Sequence, residues 1–348
     1  MNSFGRIFRV SILGESHGDY AGILIDGCPP GMSLTVEDFI IDIERRKPGA
    51  KGTTPRKEDD IPEIVSGLFN AKTTGSPITI LFKNSNTRSS DYEKQRAIPR
   101  PGHADFVARK KFGGFEDYRG GGHFSGRLTV ALVAAGVVAK KILVTYSSNS
   151  KNTHKPIAVE AKILEIGGES DLNKGLQKAV EAKDTIGGIV ECCVSNLPIG
   201  LGEPFFDSIE SVLSHAIFSI PAVRGIEFGT GFVAAKMFGS DHNDAIQDMD
   251  GTTITNHAGG IVGGLTNGNQ LVFRIAVKPT SSTPKEQQTL NIETGNVEPF
   301  SVKGRHDLCI ALRVPVVLEA VTALTLVDMI MINEAVYSRF INAYGDKQ

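Results

Sequence analysis

Five arginines, two lysines and two histidines crowd into residues 96–127, against three carboxylates. The segment opens Arg96-Ala-Ile-Pro-Arg100-Pro-Gly-His103-Ala-Asp105 and closes Asp117-Tyr-Arg119-Gly-Gly-Gly-His123-Phe-Ser-Gly-Arg127. Guanidinium groups bind phosphate and carboxylate through paired N–H donors, and glycines let backbone N–H groups come close to an anion. A helix that begins after a glycine-rich turn adds the positive end of its dipole. The uncharged stretch 128–139 follows directly. Over its whole length the chain is nearly balanced, with 37 basic and 39 acidic residues. Positive charge gathered at one place on a near-neutral chain points to a small polyanion as ligand. A nucleic-acid binder would be basic overall.

Other residues could join this chemistry. Gly14-Glu-Ser-His17-Gly18 follows a strand-like run, so His17 falls at a loop tip and can exchange a proton near neutrality. His103 has Asp105 two residues on, close enough to orient a ring nitrogen. Gly121–Arg127 approaches the phosphate-loop pattern, but Arg127-Leu128 stand where that pattern requires Lys followed by Ser or Thr. This argues against a nucleoside triphosphatase and leaves anion binding by the same backbone. Lys278-Pro279-Thr280-Ser281-Ser282 ends a strand with N–H and O–H donors. Arg305-His306-Asp307 is a charged loop between apolar flanks. Gly229-Thr-Gly231-Phe-Val-Ala234 matches the dinucleotide spacing without a strand–turn–helix unit or an acidic partner, and reads as a turn at a strand end. Taken singly, each motif also has a structural reading: a capped turn, a glycine hinge or a solvated charge.

Positioning these groups needs a scaffold. Period-two patterns predict strands over 8–13, 22–26, 64–69, 77–82, 188–194 and 270–277. Helices are expected over 35–46, from 128 to about 144, over 171–183, 206–218 and 314–333. Residues 49–62 read as a basic loop and 145–157 as an exposed connector. No sharp change of composition marks a linker, so residues 1–348 are expected to form one domain of layered sheets and helices. The four cysteines, Cys28, Cys192, Cys193 and Cys309, lie among apolar residues. They suit buried free thiols in a reducing cytoplasm, with no disulfide and no metal site. The N-terminus lacks a signal-peptide pattern, and the longest strongly apolar run is 12 residues, too short to cross a bilayer.

Together and in this order, the motifs closely resemble those of the chorismate synthase family. Gly14-Glu-Ser-His-Gly18 with Asp26-Gly-Cys-Pro-Pro30 looks like the family's first signature, Gly122-His-Phe-Ser-Gly-Arg127 its second, and Arg305-His-Asp with Glu319-Ala its third. Arg45-Arg-Lys-Pro-Gly49, Arg100-Pro-Gly-His-Ala-Asp105, Asn256-His-Ala-Gly-Gly-Ile261 and Lys278-Pro-Thr-Ser-Ser282 match between them. The likeness runs from residue 5 to about 330. Three positions depart from it. Leu308 replaces a usual proline, and the loop after Gly49 is one residue short, so its second basic residue falls at Lys51. Pro221 stands where the family often has Asn or Gln.

The resemblance implies an α+β, β-α-β sandwich fold and a homotetramer. It implies 1,4-elimination of phosphate from 5-enolpyruvylshikimate 3-phosphate to give chorismate, in the shikimate pathway, with reduced FMN required and no net redox change. His17 and His103 look like the catalytic histidines. One would protonate the departing phosphate, and the other would keep the reduced flavin in its required protonation state. Asp307 looks like the residue that assists proton removal through the flavin. His123, Phe124, Ser125, Gly263, Lys278, Pro279, Thr280, Ser281, Ser282 and Arg305 would line FMN. Arg46, Arg127 and Lys51 would meet substrate, and Arg46 also matches a position associated with NADPH. The chain lacks obvious insertions, which favours an external flavin reductant. No nucleic-acid or membrane partner is implied. The enzymatic alternative is a flavin- or NADPH-dependent reductase of a phosphorylated metabolite, which would consume one NADPH per turnover. The non-enzymatic alternative is a phosphosugar- or flavin-binding regulatory protein.

Overall fold

Strands that alternate buried and half-buried positions build two antiparallel sheets in the computed structural model, which describes residues 2–49, 52–54, 58–85, 96–149, 155–302 and 306–338. The first sheet contains β1 (Ser3–Phe4), β2 (Arg9–Gly14), β3 (Tyr20–Asp26), β4 (Glu63–Ile64) and β5 (Ile78–Lys83), in the order β1-β2-β3-β5-β4. The second contains β6 (Ala158–Ile166), β7 (Gly188–Ser195), β8 (Val223–Phe228) and β9 (Leu271–Val277), in the order β8-β9-β7-β6. Register places Ile23 opposite Ile80 in the first sheet and Phe273 opposite Cys192 in the second.

Among the described residues, six helices of seven residues or more accompany them: α1 (Ile40–Arg46), α2 (Asp105–Phe112), α3 (Thr129–Asn149), α4 (Leu172–Ala182), α5 (Ile209–Ile217) and α6 (Val314–Asn333). Helix α3 packs on the first sheet, α6 on the second, and the two lie along each other. The result is the expected β-α-β sandwich. A helix covered on all sides must be apolar all round, and both are so over most of their length, with few charged residues: Lys140 and Lys141 in α3, Glu319 and Asp328 in α6. By length and hydropathy they would even pass as membrane spans, but 78% of each apolar window is buried inside the fold. Their contact is close: a Cβ on Gly136 would lie 2.2 Å from Ala320 Cβ.

Several elements differ from expectation for local reasons. Helix α3 continues through Lys140 and Lys141, whose ammonium groups reach Glu319 and Asp38. It ends at Asn149, not near 144. Buried Ser147 donates to Leu143 O (2.8 Å) and accepts from Ile157 N (3.0 Å), so this serine belongs to the core. The 35–46 segment opens as a 3₁₀ turn, where Asp38 accepts the Thr35 N–H (2.8 Å), and becomes α-helical at Ile40. The expected 64–69 strand breaks into β4 and the short strand Leu68–Phe69, separated by Gly67 with φ of 83°. Edge strand β6 was not among the expected strands although Val159–Ile163 alternates apolar and polar; the alternation fails after Ile163, where the pairing with β7 shifts register before Glu165. Helix α2 was hidden within the charged 96–127 segment. Helix α6 runs Val314–Asn333 as expected, with Pro315 in its first turn, where no N–H is needed. All four cysteines are free, and Cys192 and Cys193 take opposite faces of β7.

Candidate active site

Three successive glycines organise the site. Gly120, Gly121 and Gly122 have φ of 60°, 84° and 54°, the left-handed region that other residues enter only with strain. Space forbids a side chain as well. A Cβ on Gly120 would lie 2.4 Å from His17 Cδ2, one on Gly121 3.2 Å from His103 Cε1, and one on Gly122 1.9 Å from Asp117 O. Two histidines distant in sequence are thus packed beneath adjacent links of one turn.

His17 is buried behind Gly120, which forms the cavity wall at this point. Its loop is tied to the glycine turn by Ser16 N–H donating to Gly122 O (3.1 Å). His123 Nδ1 lies 2.8 Å from Gly14 O. A carbonyl only accepts, so Nδ1 carries the proton and, in the neutral ring, Nε2 is left as acceptor. Asn84, just past β5, donates from Nδ2 to Glu15 O (3.0 Å) and Gly18 O (2.8 Å), while its Oδ1 accepts from Arg127 Nε (2.9 Å).

His103 Nδ1 lies 2.5 Å from Asp105 Oδ1. Arg100 grips the same carboxylate, Nε to Oδ2 at 2.7 Å and Nη2 to Oδ1 at 2.8 Å, and donates from Nη1 to Ser282 Oγ at 3.1 Å. Its Nη2 is 3.1 and 3.2 Å from the two ring nitrogens of His103. One N–H cannot point along both lone pairs, so this contact is packing against the ring. Burial alone would raise the Asp105 carboxyl. Hydrogen bonds from Arg100 and then His103 outweigh it and hold Asp105 far below the usual carboxylate range. Lys278, at the end of β9, reaches Gly102 O (2.6 Å) and Ser281 Oγ (3.0 Å), pinning the His103 turn to the second sheet. Burial, then Arg224, push its ammonium down.

Also lining the cavity, Asp60 bridges two arginines, accepting from Arg46 Nη1 (3.1 Å) and from Arg127 Nη1. Arg46 is 2% exposed and also donates to Thr129 Oγ1, Gly126 O and Arg127 O. Burial, then Arg313, push its guanidinium down, and Asp60 opposes them. Arg127 Nη2 is buried and has no hydrogen-bond partner among the described residues. Asp307 accepts Thr54 N–H (2.9 Å) and Arg313 Nη1 (3.2 Å). Leu308 and Cys309 both donate backbone N–H to Gly52 O, at 2.9 and 3.2 Å. A proline at 308 could not make the first of these bonds, so the departure at Leu308 adds a tether beside Asp307.

These walls enclose a cavity of about 500 Å³. Arg46, His103, His123, Phe124, Ser125, Arg127, Lys278, Pro279, Thr280, Ser281, Ser282 and Asp307 all line it, as does Pro221. Gly263 does not. It lies in the turn between Ile261–Val262 and Leu265–Thr266, beside a glycine packed on Glu203 and Ser208. Lys51 and Arg305 lie outside the described residues. Asp60 and Asn84 went unnoticed in the sequence, where each is a lone polar residue in no motif. Among the described residues no group of His, Cys, Asp and Glu is arranged to hold a metal.

A family profile described as chorismate synthase matches residues 8–331. The chain belongs to the chorismate synthase family. It is 67% identical over 334 residues to the chorismate synthase of Chitinophaga pinensis, covering 96% of this chain and 98% of that one. It is 44% identical to the Dehalococcoides mccartyi chorismate synthase, covering 94% and 96%. A crystal structure titled chorismate synthase superposes with a TM-score of 0.72 at 25% identity, covering 99% of this chain and 96% of the other. The family places the chain among lyases that remove phosphate, in aromatic amino-acid biosynthesis.

Proposed function

We propose that the cavity binds 5-enolpyruvylshikimate 3-phosphate beside reduced FMN and eliminates phosphate across four carbons to give chorismate. The C3–O bond to phosphate breaks, a C6 hydrogen is lost as a proton, and no electrons are consumed overall. The observation that carries this reading is the convergence of His103, His123, Arg127, Lys278 and Asp307, from four separate stretches of chain, on one cationic cavity.

The residues present suit a flavin phosphate. Lys278, Ser281 and Ser282 supply donors at one end, Thr280 Oγ1 is buried with no partner among the described residues, and Phe124 supplies an aromatic face. When bound, reduced FMN supplies an electron-rich ring against the substrate. The chain's own groups do the rest. Arg127 and its neighbours neutralise phosphate and carboxylates, which the water-poor wall makes stronger than in solvent. His103 lines the cavity and holds a proton at one of two places, the departing phosphate or the reduced flavin; His17, behind Gly120, would serve the other across the glycine turn. Asp105 orients the His103 ring for its task. Asp307, which lines the cavity, would assist proton removal through the flavin. Among the described residues Arg46 has one N–H left for a ligand, so its part is chiefly to hold this wall together.

The reading extends to a single functional domain, a cytoplasmic location, an external source of reduced flavin and a homotetramer. The last is supported by Phe205, Phe206, Phe232, Phe238 and Met249, each more than three-quarters exposed and suited to burial between copies. Anaerobic incubation with substrate, FMN and dithionite tests the chemistry. Phosphate release with chorismate absorbance, at many turnovers per flavin, is expected. Consumption of one NADPH per product would establish the reductase alternative instead.

A further inference from the structure

We propose that Asp60 is a positioning residue that sets the affinity of the cavity for its anionic ligand, by fixing Arg127 with one guanidinium nitrogen left over. The proposal rests on the anion-binding reading above and deepens it. Asp60 is 4% exposed and takes one arginine on each oxygen, Arg46 on Oδ2 and Arg127 on Oδ1. Its backbone has φ of 49°, a left-handed value that a non-glycine residue holds only when its surroundings demand it. The two guanidinium groups repel, and each has a second anchor: Thr129 and two backbone carbonyls for Arg46, Asn84 for Arg127. With Nε on Asn84 and Nη1 on Asp60, the planar Arg127 fork cannot rotate. Only Nη2 is unpartnered among the described residues, within a side chain that lines the cavity. A donor held in place before the ligand arrives loses little entropy on binding.

A carboxylate this close to an anion site also has a simpler reading as a counter-charge, and the two readings predict opposite signs. As a counter-charge, Asp60 opposes an incoming anion, so Asp60→Asn would tighten binding. As a positioning residue, Asp60→Asn loosens it, because the amide accepts from one arginine while its NH₂ faces the other. Asparagine tolerates the left-handed backbone, so the substitution preserves the turn. The experiment measures KM and kcat for phosphate release, together with calorimetric titration of the enolpyruvyl substrate and of inorganic phosphate, on wild type and Asp60→Asn. The expected result is a KM raised about tenfold or more with kcat within about threefold, and matching losses in both titrations. Unchanged or tighter phosphate binding overturns the proposal. A wild-type protein that binds phosphate but releases none from substrate overturns the lyase reading alone, since the phosphate titration still judges Asp60. If Asp60→Asn does not fold, a wild-type structure with phosphate bound decides. Arg127 remaining on Asp60 with Nη2 on the anion supports the proposal, and Arg127 swinging off Asp60 overturns it.

Discussion

Arg45 and Arg46 are neighbours on α1 and enter two different ionic clusters. Successive helical residues point about 100° apart, so one faces the helix layer and the other the cavity wall. Arg45 donates to both oxygens of Glu319 at 2.7 Å. Lys140 joins Glu319 to Asp42 at 2.8 Å each, and Ala161 N–H takes another Glu319 lone pair at 3.0 Å. Two cations meet two carboxylates, and Glu319 is fully engaged. Around Arg46 the balance differs: Arg46, Arg127 and Arg313 meet Asp60 and Asp307, and a buried nitrogen of Arg127 is left over. A closed cluster joins helices and strands. An open one, with charge and a donor to spare, is disposed to bind.

The sharpest way to break this contrast is Glu319→Ala. It leaves the Ala161 N–H without its acceptor and Arg45 and Lys140 with Asp42 alone, and should cost about 2–4 kcal/mol in urea unfolding. Turnover per folded molecule should stay near wild type. A specific loss of turnover would place the cluster in the chemistry and end the distinction. Arg127→Gln should do the reverse: kcat/KM for phosphate release falls about 100-fold, with a stability cost below that of Glu319→Ala.

A matched pair of glycines sharpens the point. Gly120→Ala meets His17 and Gly136→Ala meets Ala320, both through a Cβ closer than 2.5 Å. Each should lose about 1–3 kcal/mol of stability. Only Gly120→Ala should slow phosphate release in the folded fraction, because only it displaces His17, one of the two histidines proposed to hold a proton in the reaction. The smallest effect is in acid. Burial would raise Glu319, but Arg45 and Lys140 outweigh it and hold it below its ordinary 4.5. A carboxyl lowered by folding stabilises above its unfolded pKa and stops doing so as pH falls through the folded value. The stability gap between wild type and Glu319→Gln should therefore be widest near pH 7 and narrow below pH 4.5; a gap constant to pH 3 would show that Glu319 is not held by its cations.

The sandwich was readable where one period dominates. Strands β3, β7 and β9 and helix α6 followed directly from alternation or from a long, mainly apolar run. The histidines, the glycine turn and the Lys278–Ser282 donors were readable because each is a compact motif. Asp60 and Asn84 were not, since their meaning lies wholly in partners far along the chain. Nor could the sequence say which of two adjacent arginines turns inward to the cavity, that His17 stands behind Gly120 rather than in the open wall, or that Gly263 lies apart from the other flavin candidates in the chain.

A crystal structure of the protein soaked with FMN and the enolpyruvyl phosphate would test the central claim most directly. Both ligands should occupy the cavity between Arg127, His103, Lys278 and Asp307, with substrate oxygens on the spare nitrogen of Arg127. Ligand density instead in the cleft beside Arg6 and Asp207, or in the apolar groove by Pro29 and Tyr146, would contradict it.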